Sequence, residues 1–159
     1  MSQAGLMALV HFTINRRITL PAKAVFAELI DWRGHAHWVP MTRVNIEHGD
    51  GGVGTVFVAT TGLGPLALPD RMRVDELDIE TMTVRIAKIG PVLTGDVRLE
   101  VRAVDNTGCD VYWDEKVQVP VLPQIFARPV GAVASLAFTL SINTMAKQLR
   151  GRLRGKLGV

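Results

Sequence analysis

The 159-residue sequence predicts an α+β fold in which a curved antiparallel sheet of seven strands wraps around a long C-terminal helix. Three observations carry this expectation. A strand-like run, Cys109 to Val119, is closed by Pro120 and Pro123 and leads into Pro129–Ala146, a stretch without a charge. From Arg43 to Val119 apolar and polar residues alternate between turn signals, the two-residue period of half-buried strands. Before that, Pro21 to Pro40 has the three- and four-residue spacing of short helices.

Taken in order, Leu9–Leu20 is a first strand, with Val10, Phe12 and Ile14 alternating against His11, Thr13 and Asn15. Pro21 opens a helix at its first position, where the missing N–H costs nothing, and Val25, Phe26, Leu29 and Ile30 form its apolar stripe. Asp31–Pro40 continues as a second short helix or turn, ended because the residue before a proline avoids helical backbone. Arg43–His48 and Gly54–Thr61 form a hairpin around Gly49-Asp-Gly-Gly52, since glycine tolerates positive φ. An apolar loop, Gly62–Pro69, precedes strands at Asp70–Leu77, Met82–Ile89, Asp96–Val104 and Asp110–Val119, the last two joined through Asp105-Asn-Thr-Gly108. No repeat or linker divides the chain, so residues 1–159 are expected to form one domain. At this length a substantial core, with space inside it, is affordable.

Composition narrows the function. An apolar share of 48% and a charged share of 21% fit a globular protein rather than a disordered one. The single cysteine, Cys109, rules out an internal disulfide and a cysteine metal cage. Met1–Val10 lacks the basic start and long apolar run of a secretory leader, so a cytoplasmic protein is expected. The net charge of +3 is local: Lys147, Arg150, Arg152, Arg154 and Lys156 crowd one end, and without them acids outnumber bases. Such a basic turn complements the negative end of a helix dipole or attracts an anionic surface. No aromatic residues interleave with these cations, so nucleic acid is not an expected partner.

At this point the chain resembles the helix-grip superfamily, which includes START domains, the birch-pollen-allergen proteins and the polyketide cyclase/dehydrase-like families. The resemblance rests on Ile18-Thr-Leu-Pro-Ala22 leading to Val25-Phe26, on Asp31-Trp32 and Trp38-Val-Pro40, on the Gly52–Gly54 turn, on Trp113, and on the uncharged helix after Pro129. It covers nearly the whole chain and is similar above all to the polyketide cyclase/dehydrase-like group. The resemblance implies a ligand cavity between sheet and C-terminal helix and a hydrophobic small molecule, lipid or polyketide-like, as partner.

Alternation selects the residues that meet such a ligand. In Asp96–Val104 the set Val97, Leu99, Val101 and Ala103 points inward; in the last strand it is Val111, Trp113, Glu115, Val117 and Val119. Glu115 breaks the apolar pattern. A buried carboxylate needs a cation, a hydrogen bond, water or a proton, so it is either a ligand anchor or general acid/base, or a group satisfied by a structural partner. Trp113 is core or cavity wall. Phe57, Trp38, and Leu136 and Leu140 on the long helix complete the expected lining, with Trp32 and Trp38 packing the short helices over the cavity mouth.

Other features count for less. His35 and His37 are two apart, do not share a helix face, and have no obvious further metal ligands nearby; either could hydrogen-bond at the cavity mouth. The Gly62–Pro69 loop is equally a mobile lid or a packed connection. Arg85 sits between Val84 and Ile86 and is expected to face solvent. The uncharged helix approaches the length of a membrane span. However, Ser135, Thr139, Asn143, Lys147, Arg150 and Arg154 form a polar stripe opposite Val133, Leu136, Ala137, Leu140, Met145 and Leu149, which suits packing on a sheet. No nucleophile elbow or phosphate loop is present, and no cofactor is called for. The expected function is binding of a hydrophobic small molecule, with a cyclase/dehydratase-type enzyme using Glu115 as acid/base as the alternative. Nothing in the sequence fixes an oligomeric state.

Overall fold

The computed structural model describes residues 7–158; residues 1–6, most of the segment expected to lack a secretory leader, and residue 159 lie outside the described residues. The chain runs β1 (Met7–Ile18), α1 (Ala22–Leu29), α2 (His35–Trp38), β2 (Thr42–His48), β3 (Val56–Thr61), β4 (Leu68–Asp78), β5 (Thr83–Ile89), β6 (Thr94–Ala103), β7 (Cys109–Pro120) and α3 (Ala127–Lys156). The seven strands form one curved antiparallel sheet in the order β1-β7-β6-β5-β4-β3-β2, so β1 crosses to pair with the last strand and every other neighbour is a hairpin.

Element boundaries shift by one or two residues from expectation, for local reasons. Pro21 lies just outside α1 rather than inside it: its backbone is extended and its carbonyl accepts the first helical bond, from the Val25 N–H at 3.1 Å. β3 begins only at Val56. Gly54 has a φ of +86°, and Thr55 is spent on the turn, its hydroxyl accepting the Gly51 N–H. β4 begins at Leu68, so the apolar loop is shorter than expected and holds a single 3-10 turn at Gly64–Leu66. Its Leu63 and Leu66 face solvent, so the loop is not a packed connection.

The concave face of the sheet is the apolar one. Val10, Phe12 and Ile14 of β1, Val97, Leu99 and Val101 of β6, and Val111, Trp113 and Val117 of β7 are buried in phase with the strand period. Ala103, expected with them, is exposed at the strand end. The convex face pairs its charges across strands: Asp114 of β7 accepts from His11 and Thr13 of β1, each at 2.7 Å. Arg85 is exposed there and binds Glu76.

α1 and α2 close one end through aromatic packing. Trp32 stacks on Phe57 with ring centres 5.0 Å apart and donates its indole N–H to the Gly51 carbonyl at 2.8 Å, tying the helical segment to the β2–β3 turn. A stacked aromatic pair adds ~0.5–1.5 kcal/mol to the burial itself. α3 packs along β1, closely enough that a side chain at Gly131 would come within 3.2 Å of the His11 carbonyl.

The face that α3 turns to the sheet differs from expectation. Gly131, Ser141, Ile142, Met145, Ala146 and Leu149 are buried, while Val133, Leu136 and Leu140 are 69%, 61% and 56% exposed. The buried residues recur at three- and four-residue spacing along one side of the helix, with the close approach to β1 at Gly131, and Leu136 and Leu140 lie on the opposite side; hydroxyls of the packed side bond their own helix. The Ser141 and Thr139 hydroxyls donate to the carbonyls four residues back, which lets them sit against apolar neighbours. By length and hydropathy 124–156 is apolar enough to cross a membrane, but its buried face is sheet packing. In the basic turn, Arg152 binds Glu28 of α1 at 2.8 Å.

Candidate functional site

Between the concave face and α3 lies a cavity of about 270 Å³, just under the usual ~300–1,000 Å³ of small-molecule sites. Most of its wall is apolar. Phe12, Trp113 and Phe138 form an aromatic corner, with Phe138 of α3 5.1 Å from Trp113 and 5.6 Å from Phe12 between ring centres. Val97, Val117 and Ile86 supply the sheet side.

One wall carries charge. Lys88 of β5 is 6% exposed and lies between two carboxylates, Glu115 of β7 at 3.0 Å and Asp70 of β4. Glu115, 5% exposed, also accepts the Trp113 indole N–H on its second oxygen at 3.0 Å. The strands explain how three groups from separate strands meet. Lys88 lies opposite Gly95 of β6, which has no side chain, and Gly95 lies opposite Val117, two residues from Glu115. The lysine therefore crosses over a bare position to reach Glu115 on the next strand. Gly95 itself has a φ of +147°, and a Cβ there would sit 2.0 Å from the Lys116 carbonyl oxygen.

Burial alone would lower the Lys88 pKa, but the adjacent Glu115 and Asp70 outweigh it and raise the pKa, so the ammonium is held charged inside an apolar cavity. The second oxygen of Asp70, Oδ1, is buried and has no hydrogen-bond partner among the described residues. His35 reaches the cavity from α2. Its Nε2 donates to the Leu29 carbonyl at 2.8 Å, and burial lowers its pKa, so the ring is favoured neutral.

The expected site residues divide. Glu115, Trp113, Val97, Val117 and Phe57 line the cavity. Leu99, Val101 and Val111 are buried on the same face but pack below it, in the core toward the other ends of β6 and β7. Trp38 is buried against His35, 4.6 Å between ring centres, and does not reach the cavity. Leu136 and Leu140 face outward, because they lie on the side of α3 opposite its packed stripe of Phe138, Ile142, Met145 and Leu149. His37 is exposed and diverges from His35; among the described residues no three His, Cys, Asp or Glu side chains gather as a metal site. Cys109 is fully buried and its thiol is pushed up to about 11 by that burial, which leaves it a poor nucleophile.

Along with wall residues such as Phe12, Ile86 and Phe138, the expected lining omits two charged site residues, Lys88 and Asp70. Strand period carries the signal for both: Val84, Ile86 and Lys88 share one face of β5, and Asp70, Met72 and Val74 share one face of β4.

No protein-family model and no curated protein sequence matches the chain. Solved structures do. The Zhui aromatase/cyclase from Streptomyces sp. R1128 is similar with a TM-score of 0.80 at 18% identity, over 95% of this chain and 99% of its own. The norcoclaurine synthase from Thalictrum flavum, solved in complex with dopamine and hydroxybenzaldehyde, gives 0.67 at 13% identity over 94% and 90%. Ara h 8.0201 gives 0.63 at 18% identity over 88% and 99%. At such identities the likeness is one of architecture: the chain has the helix-grip fold, its seven-stranded sheet curved around the C-terminal helix.

Proposed function

We propose that the protein binds a hydrophobic small molecule, lipid or polyketide-like, in the cavity between sheet and α3, its polar end set against the cluster of Lys88, Asp70 and Glu115 and its body against Trp113, Phe57, Val97 and Val117. The observation that carries this reading is a mostly apolar cavity of about 270 Å³ with one buried ionic cluster in its wall. Apolar walls supply affinity without direction, and a few polar groups supply orientation. A cytoplasmic setting accompanies this proposal, suggested by a chain with a single cysteine. Native mass spectrometry of freshly purified protein, set against its denatured mass, tests it. A reproducible extra mass lost on denaturation, or saturable uptake of small aromatic compounds by the apo protein, is expected. Neither being found would end the proposal.

A second reading is an enzyme of the cyclase/dehydratase type acting on a polyketide-like substrate. It is favoured by Lys88 and Glu115, a proton donor and a proton acceptor 3.0 Å apart beside an apolar cavity, and by the likeness to an aromatase/cyclase. Glu115→Gln separates the two. Loss of turnover with modest loss of binding supports the enzyme; loss of binding alone, with no reaction found, supports the carrier.

A further inference from the structure

Within the binding reading above, on which this inference rests, we propose that the cavity selects a ligand whose polar end donates hydrogen bonds, an amine or a hydroxyl on a compact aromatic body, and rejects carboxylates such as free fatty acids. The cavity wall holds hydrogen-bond donors and acceptors in unequal supply. Lys88 has three N–H donors. One goes to Asp70 and one to Glu115, and the third meets only the weak acceptor Met72 Sδ, 4.0 Å away. The Trp113 indole N–H is spent on Glu115. The Thr42 and Thr61 hydroxyls share a 2.8 Å hydrogen bond that either can donate, and Thr42 also lies 3.2 Å from the Pro40 carbonyl. The His35 Nε2–H is spent on Leu29.

The donors lining the cavity are thus turned mainly to partners within the protein, the third Lys88 N–H having only the weak Met72 sulfur. The buried polar atom of this wall left with no partner among the described residues is an acceptor. Asp70 Oδ1 is buried and unpartnered among the described residues, and the neutral His35 ring offers its other nitrogen only as an acceptor. A buried acceptor without a donor is costly, so a donating ligand gains what the empty protein forgoes.

Charge gives the same sign. The cluster sets one ammonium against two carboxylates, so with all three ionised it carries one net negative charge. A carboxylate ligand adds a third anion where water is scarce. An ammonium evens the count, and a neutral hydroxyl meets Asp70 Oδ1 without a like charge.

The experiment holds the apolar body constant and changes only the polar end. Binding of 2-naphthol, 2-naphthylmethylamine, 2-naphthoate and 2-methylnaphthalene to the wild-type protein is measured by equilibrium dialysis at neutral pH. The amine and the naphthol are expected to bind at least about tenfold tighter than methylnaphthalene, the scale of one hydrogen bond to a charged group, and naphthoate weaker than methylnaphthalene. In Asp70→Asn, which removes a charge and adds an N–H donor, the amine loses its advantage and naphthoate gains. Naphthoate binding as tightly as naphthol, or methylnaphthalene matching naphthol, overturns the inference while leaving the cavity reading intact. Exclusion of all four overturns both.

Discussion

Replacing Lys88 by methionine keeps most of the side-chain volume and removes the cation that stands between Glu115 and Asp70. At 3.0 Å and an effective dielectric of about 20, the attraction to Glu115 alone is roughly 5–6 kcal/mol before desolvation is subtracted. Glu115 is 5% exposed, so the substitution leaves its carboxyl group buried and without its counter-ion. Breaking one partner of such a pair costs about 3–5 kcal/mol. For a chain of this size that lowers the melting temperature by roughly 6–20 °C, at ~2–4 °C per kcal/mol. In urea, with a slope of ~2 kcal/mol/M, the midpoint falls by about 1.5–2.5 M. Two controls separate charge from packing. The triple variant Lys88→Met, Glu115→Gln, Asp70→Asn removes all three charges and should recover most of the loss, since apolar or neutral replacement of a whole buried cluster is often neutral or better. Mild acid, by protonating the orphaned carboxylates of the single variant, should recover part of it. A urea midpoint within about 0.5 M of wild type for Lys88→Met, a loss below ~1 kcal/mol, would refute the reasoning, because it would mean the cluster is hydrated rather than buried.

Three further outcomes follow from the same geometry. Gly95→Ala places a Cβ 2.0 Å from the Lys116 carbonyl and strains a φ of +147°, so it should cost at least about 2 kcal/mol in urea unfolding; an unchanged midpoint would contradict the close approach of β6 to β7. Burial lowers the His35 pKa, so its contribution is present above an unfolded value of about 6.5 and is lost as pH falls through the lower folded value. Stability should therefore decline from about pH 6.5 downward, before the depressed carboxylates Asp78, Asp105 and Asp110 begin to protonate below about pH 4, and His35→Gln should flatten that segment. The Cys109 thiol, buried and pushed up to about 11, should react with a thiol reagent only as fast as the protein unfolds; rapid labelling of the native protein would contradict its burial.

The architecture was legible because strand and helix periods are local. Val97, Leu99 and Val101 announce their face without any knowledge of what covers it. Glu115 was legible for the same reason, as a carboxylate in phase with Val111, Trp113 and Val117. Its partners were harder. Lys88 shares a face with Val84 and Ile86, but a lysine at a strand end ordinarily reaches solvent, and only the bare position at Gly95 on the next strand turns it toward Glu115. Asp70 stands at the end of an apolar loop, where an acid reads as turn chemistry, and its role depends on β4 beginning at Leu68. Leu136 and Leu140 were assigned inward because hydrophobicity suggested the stripe. The residues that α3 does bury or partly bury, Gly131, Ala134, Phe138, Ile142, Met145 and Leu149, recur at three- and four-residue spacing, and Leu136 and Leu140 fall on the opposite side of the helix.

The central claim is that ligands enter the space between sheet and α3 beside Lys88 and Glu115. The most direct test is a methyl-resolved NMR titration with 2-naphthol, following Ile86, Val97, Val117 and Val119 from the cavity wall and Val133, Leu136 and Leu140 from the outer face of α3. The account predicts saturable shifts at the first set and still signals at the second. Shifts confined to Val133, Leu136 and Leu140 would contradict it, and would put the binding surface on the outside of the helix.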